Sequence, residues 1–159
     1  KDSMPNVQTL SLSENHIVDI SPLHNSMPNT QILGLEYNQI VNISALKDSM
    51  PNVQTLSLSK NHIVDISPLK DSMPNALILG LEENQIMDIS ALKGSMPNMR
   101  RLFLTDNKVV DITPLKGSMP LMHVLSLIGN DIPDTVSMEF FLYWQSLGKS
   151  QDHLYLVDI

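Results

Sequence analysis

The chain has 159 residues, 42% of them apolar, a net charge of −7 and no cysteine. That length and apolar fraction support one domain with a buried core, while the missing cysteines exclude disulfides, thiolate nucleophiles and cysteine-bound zinc. Ten Lys and Arg spread among seventeen Asp and Glu form no basic cluster, so a nucleic-acid partner is not expected. No apolar run approaches the length of a membrane-spanning helix, and no charged-then-apolar leader follows Lys1. Membrane insertion is therefore not expected, and the compartment, cytoplasmic or secreted and cell-surface, stays open.

Ser-Met-Pro recurs at Ser3, Ser26, Ser49, Ser72, Ser95 and Ser118, a constant step of 23 residues. Each copy then carries Leu-x-Leu-x-x-Asn, from Leu10, Leu12 and Asn15 to Leu125, Leu127 and Asn130. Two leucines two positions apart point to one face of a short strand, while Thr9, Ser11 and Ser13 point to the other. One strand cannot bury its leucines alone. Stacking such strands about 4.8 Å apart makes a parallel sheet whose leucines form a continuous interior column. The recurring asparagines Asn15, Asn38, Asn61, Asn84, Asn107 and Asn130 are expected to form a structural ladder that satisfies buried backbone groups.

Further along each copy, Ser21-Pro22, Ser67-Pro68 and Thr113-Pro114 place a capping hydroxyl before a proline, the start of a helical or 3₁₀ turn on the convex side. Asp19, Asp65, Asp88, Asp111 and Asp134 form a column that is expected to bond local backbone N–H groups rather than calcium. The six Met-Pro methionines read as core filler. A longer period overlies the first: residues 1–23 and 47–69 differ only at Glu14 against Lys60, and residues 24–46 resemble 70–92. A unit of 46 residues has been duplicated, by evolution or by an engineer.

Residues 1–132 thus read as six repeats with no N-terminal cap in view, and residues 133–159 as a C-terminal capping helix and final strand. Asp134 or Thr135 is expected to cap a helix over 136–147 that Gly148 stops. Its Phe140, Phe141, Tyr143 and Trp144 are expected to seal the last coil, and Leu154 to Leu156 to form a last strand. The uncapped start is expected to reflect removal of preceding sequence. A homodimer through that edge, or through the C-terminal aromatic cap, stays open as an alternative.

Across about 130 positions these residues resemble the leucine-rich-repeat consensus. The stretch from Asn61 to Leu69, Asn-His-Ile-Val-Asp-Ile-Ser-Pro-Leu, is similar to the internalins of bacterial surfaces and to the regulatory subunit of type-one protein phosphatase. The resemblance implies an α/β repeat solenoid, right-handed, with a parallel β-sheet on the concave face and short 3₁₀ or α turns on the convex face. It also implies a scaffold for protein–protein interaction. On the internalin side the chain would be an adhesin or secreted effector; on the phosphatase side, an intracellular regulatory scaffold. A structural array with no natural partner is the remaining alternative.

No catalytic, cofactor-binding or metal-binding residue is assigned. His16 and His62 lie two coils apart with Gln39 between them, and no Ser-His-Asp set converges. Asn42-Ile43-Ser44 fits a glycosylation acceptor, as an isolated match. The partner protein, of unknown identity, is expected on the concave face. Its centre falls where coils five and six depart from the pattern, at Arg101, Phe103, Asp106, Lys108 and Ile128, with Tyr37 and the Glu36, Glu82 and Glu83 group as an acidic flank.

Overall fold

The computed structural model describes residues 4–156. Strands β1 (Thr9–Ser11), β2 (Ile32–Gly34), β3 (Thr55–Ser57), β4 (Ile78–Gly80), β5 (Arg101–Phe103), β6 (Val124–Ser126) and β7 (Leu154–Tyr155) form one parallel sheet in sequence order. The pairing register is the repeat period itself. Leu10 faces Leu33, Leu33 faces Leu56, Leu56 faces Leu79, and so on to Leu102, which faces Leu125; the last pairing, Leu125 with Leu154, closes a longer coil. Chemically equivalent side chains therefore stack, and this turns a sequence period into a solenoid.

The interior follows from that register. Leu33, Leu35, Leu58, Leu79, Leu81, Leu102 and Leu104 are completely buried, with Ile40, Ile63 and Ile86 beside them. Met27, Met50, Met73, Met96 and Met119 fill the same core, whereas Met4, in the first coil, is 37% exposed. Leu10, Leu12 and Ile17 of that coil pack against the core and are half-buried.

On the side opposite the sheet, five single 3₁₀ turns run over Ser21–Leu23, Ser44–Leu46, Ser67–Leu69, Ser90–Leu92 and Thr113–Leu115. The capping differs from the sequence expectation. The serine or threonine hydroxyl does not cap; it is the first residue of the turn. The carboxylate two residues earlier does the work instead. Asp19 accepts the Ser21 N–H at 2.8 Å and the Ser21 hydroxyl at 2.9 Å, and Asp65 with Ser67 and Asp111 with Thr113 repeat the arrangement. A turn only three residues long leaves its first N–H as the orphan donor, and an Asx side chain two positions back is the group that reaches it.

The C-terminal helix α1 (Asp134–Ser146) begins two residues earlier than expected, and neither Asp134 nor Thr135 caps it. Pro133 precedes the helix, and its carbonyl accepts the Val136 and Ser137 N–H groups at 2.9 and 3.0 Å. The fixed φ of proline sets the entry geometry without a side-chain cap. Phe140 and Trp144 are each 1% exposed against the end of the core. The Tyr143 hydroxyl accepts the Gly117 N–H at 2.7 Å, tying the helix to the last repeat.

Candidate protein-binding face

The strand residues between the leucines cover the solvent side of the sheet. One column runs Thr9, Ile32, Thr55, Ile78, Arg101 and Val124; the next runs Ser11, Gly34, Ser57, Gly80, Phe103 and Ser126. Ser13, Glu36, Ser59, Glu82, Thr105 and Ile128 follow, and then Glu14, Tyr37, Lys60, Glu83, Asp106 and Gly129.

The asparagine ladder ties neighbouring coils together beside this face. Asn38 donates from Nδ2 to the Leu12 carbonyl of the preceding coil at 2.9 Å and to the Leu35 carbonyl of its own coil at 3.0 Å. Its Oδ1 accepts the Ile17 N–H at 2.9 Å. Asn61, Asn84, Asn107 and Asn130 make the same set of bonds. The Asn15 side chain is exposed and, among the described residues, bonds only the Leu12 and Ser13 carbonyls of its own coil. A second ladder was hidden in plain repetition. In the second to fifth copies the asparagine after Met-Pro donates to the proline carbonyl one coil back, Asn29 to Pro5, Asn52 to Pro28, Asn75 to Pro51 and Asn98 to Pro74, at 2.7 to 3.1 Å.

The residue before each ladder asparagine has a left-handed backbone. Glu14, Tyr37, Lys60, Glu83 and Asp106 have φ between 51° and 57°, and Gly129 completes the column at 68°. Bonds between coils impose this conformation. The Tyr37 N–H donates to the Ser59 carbonyl at 3.0 Å, and the Tyr37 carbonyl accepts the Asn15 N–H at 3.1 Å. Three members of the column touch. The Lys60 ammonium lies 4.6 Å from the centre of the Tyr37 ring and 3.1 Å from a Glu83 carboxylate oxygen. Tyr37 first, then Glu83, holds the Lys60 pKa above the usual lysine value. Residue choice alone did not single out Lys60; the signal was that position 60 is the one difference between the first and third copies.

One column inward, the Ser59 hydroxyl bonds the Glu82 carboxylate, and a Glu36 carboxylate oxygen is shut from solvent without a hydrogen-bond partner. Both carboxylates lie over glycines. A Cβ built on Gly34 would meet Glu36 Oε2 at 3.1 Å, and one on Gly80 would meet Glu82 Oε2 at 3.0 Å.

Of the expected centre, Arg101 and Phe103 stand side by side on the outer face of β5, next to Ile78 and Gly80 of β4. Asp106 and Ile128 are neighbours across coils, since the Asp106 N–H donates to the Ile128 carbonyl at 2.8 Å. Tyr37, half-exposed at 50%, sits three coils away in the left-handed column. Lys108 stands apart. It follows Asn107, where the chain leaves the strand, and shares an exposed flank with His16, Gln39, His62 and Gln85. Among the described residues no three His, Asp or Glu side chains converge as a metal ion would need. Asn42 is exposed, and its Oδ1 accepts the Ser44 N–H at 2.8 Å.

A parallel sheet with one strand per 23-residue coil, an interior leucine column and an asparagine ladder defines the architecture. The family model for the leucine rich repeat matches residues 5–63. The chain is a leucine-rich-repeat solenoid. Among solved structures it is similar to an internalin, inlF, of Listeria monocytogenes, with 27% identity and a TM-score of 0.71 over 80% of this chain and 36% of that one. An internalin C2 of the same organism is 28% identical with a TM-score of 0.70, covering 98% of this chain and 72% of that one. A leucine-rich-repeat protein of Leptospira interrogans shares the fold at 20% identity and a TM-score of 0.77, covering 97% of this chain and 37% of that one. The solenoid thus spans about a third of the length of internalin inlF. Among curated proteins none matches its sequence. Leucine-rich-repeat proteins generally mediate protein–protein interaction and are typically not enzymes.

Proposed function

We propose that this leucine-rich-repeat solenoid holds a partner protein on the concave face of its sheet, with residues 1–132 as the binding array and 133–159 as its closing cap. The observation that carries the reading is the division of labour around each coil. Ladder asparagines and leucines consume the inward positions, while the outward positions carry side chains the fold does not need. Arg101 and Phe103, adjacent on β5, supply the affinity, because aromatic and Arg side chains carry most of the energy at protein interfaces. Asp106 and Ile128 extend that centre, Tyr37 lies on its acidic flank, and Lys108 reaches the partner from the side. The likeness to internalins favours an adhesin or secreted effector, with a host or cell-surface protein as partner, over an intracellular regulatory scaffold.

The test uses peptide ligands selected on the intact chain from a phage-displayed random library. Arg101→Ala and Phe103→Ala are each expected to weaken binding roughly tenfold or more. Unchanged affinity in both, with binding abolished by Tyr37→Ala, would place the centre elsewhere.

A further inference from the structure

The internal duplication supplies a comparison that a single sequence rarely offers. Residues 1–23 and 47–69 are the same at every position but one, Glu14 against Lys60. Residues 24–46 and 70–92 differ at several positions, yet on the sheet face Ile32, Gly34 and Glu36 recur as Ile78, Gly80 and Glu82. The difference there is Tyr37 against Glu83. Within the four columns of the face, all change between the copies has fallen in the left-handed column; directly before the strands, Gln31 stands against Leu77.

Conformation does not explain which residues that column holds. The other left-handed column, after the 3₁₀ turns, carries Asn25, Asp48, Asp71, Gly94 and Gly117, the residue types that tolerate positive φ most easily. The column on the face carries Glu14, Tyr37, Lys60 and Glu83 at the same φ, with one of the tolerant types, Asp, only at 106, although Gly129 shows that glycine fits. These side chains stay despite the backbone they sit on.

We infer that the column of Glu14, Tyr37, Lys60, Glu83 and Asp106 selects the partner, and that the matching segment of the partner protein presents Lys or Arg side chains. The inference rests on the sheet face being the binding surface. Charge complementarity sets the chemistry. Glu14, Glu83 and Asp106, with Glu36 and Glu82 one column inward, surround a single ammonium, Lys60, that Glu83 already pairs. Arg101 lies in the farthest column of the face. The Tyr37 ring already accepts a cation on its face, that of Lys60 at 4.6 Å.

Two labelled twelve-residue peptides, alternating Arg-Ser and alternating Glu-Ser, are titrated into the ¹⁵N-labelled chain at about 0.05 M salt, where screening is weak. The Arg-Ser peptide is expected to move the amide signals of Glu14, Tyr37, Lys60, Glu83 and Asp106. The triple variant Glu14→Gln, Glu83→Gln, Asp106→Asn is expected to weaken it roughly tenfold. The triple variant Asp19→Asn, Asp65→Asn, Asp111→Asn removes equal charge from the flank and keeps each turn-capping oxygen; it is expected to stay within about twofold. Equal weakening in both triples would reduce the effect to net charge and overturn the inference. Binding of the Glu-Ser peptide to the same amides would overturn the cationic partner and leave the face as the binding surface. If neither peptide moves these amides, the inference falls, while the binding face itself stands or falls by the selected ligands above.

Discussion

Asn61 closes two coils at once: its Oδ1 accepts the N–H of Ile40, in the coil before, at 2.9 Å. Its Nδ2 meanwhile donates to the Leu35 carbonyl of that coil and the Leu58 carbonyl of its own, both at 3.0 Å. All of these groups are buried, so no water can replace the amide. Asn61→Ala strands the buried Ile40 N–H, while the Leu35 and Leu58 carbonyls each lose one of two donors and keep the bond from Asn38 or Asn84; a total loss of about 2–4 kcal/mol is expected. Asn15→Ala, whose amide is exposed and bonds one coil only, should cost less than about 1 kcal/mol. Urea unfolding of the two variants measures the contrast, and similar losses would mean that the ladder does not couple coils.

The left-handed column makes an unusual prediction, a stabilising truncation. Glu14 has φ 56° and makes no ion pair among the described residues, so Glu14→Gly relieves a conformational cost of about 1–2 kcal/mol. Glycine's extra backbone entropy takes back about 0.5–1 kcal/mol. A net gain of up to about 1 kcal/mol is expected in urea unfolding, with weaker binding of the Arg-Ser peptide. The reverse change is costly. In Gly129→Ala the new Cβ would fall 2.1 Å from Asp106 Oδ1 and 3.2 Å from Asp106 Cα, at φ 68°. Gly94→Ala meets nothing within 4 Å at the same φ, so it should lose about 1 kcal/mol, and Gly129→Ala clearly more.

Acid stability follows from the turn caps. Hydrogen bonds from the Ser21 backbone and then its hydroxyl hold the Asp19 pKa below 3.8, and those from Thr113 do the same for Asp111. A carboxylate whose folded pKa is depressed stabilises the fold above its unfolded pKa, and the contribution is lost as pH falls through the folded value. The chain should therefore lose stability on acidification below about pH 4, and the Asp19→Asn, Asp111→Asn double variant should lose less over that range. The urea midpoint followed from about pH 5 to about pH 2 tests this; parallel curves for the two proteins would assign the acid sensitivity to other groups.

The fold was legible because the period is register. Once Leu10, Leu33 and Leu56 are known to recur every 23 residues, parallel pairing and an interior column leave little freedom. What escaped had no local residue signal. Left-handed φ at Tyr37, Lys60 and Glu83 is imposed by hydrogen bonds to neighbouring coils, and these residue types give no hint of it. Lys108 looked like part of the face because it stands two residues beyond Asp106, but the chain turns at Asn107 and carries it to the flank. The sequence points Asp19 to local backbone bonds but Ser21 to the cap, since a hydroxyl before proline matches an α-helix start better than a one-turn 3₁₀ segment. The helix start at Asp134 leaves no capping signal in the sequence because Pro133 supplies the geometry without a capping side chain.

In the proposed function the sheet face, and not the turn side, carries the partner. The chain has no cysteine, so a single Ser57→Cys in the middle of the face, or a single Lys70→Cys after the third turn, can each be labelled with a polyethylene glycol maleimide. Ligands selected on the unlabelled chain should fail to bind the Ser57 conjugate and bind the Lys70 conjugate normally. Undiminished binding to the Ser57 conjugate, or loss only with the Lys70 label, would contradict the account.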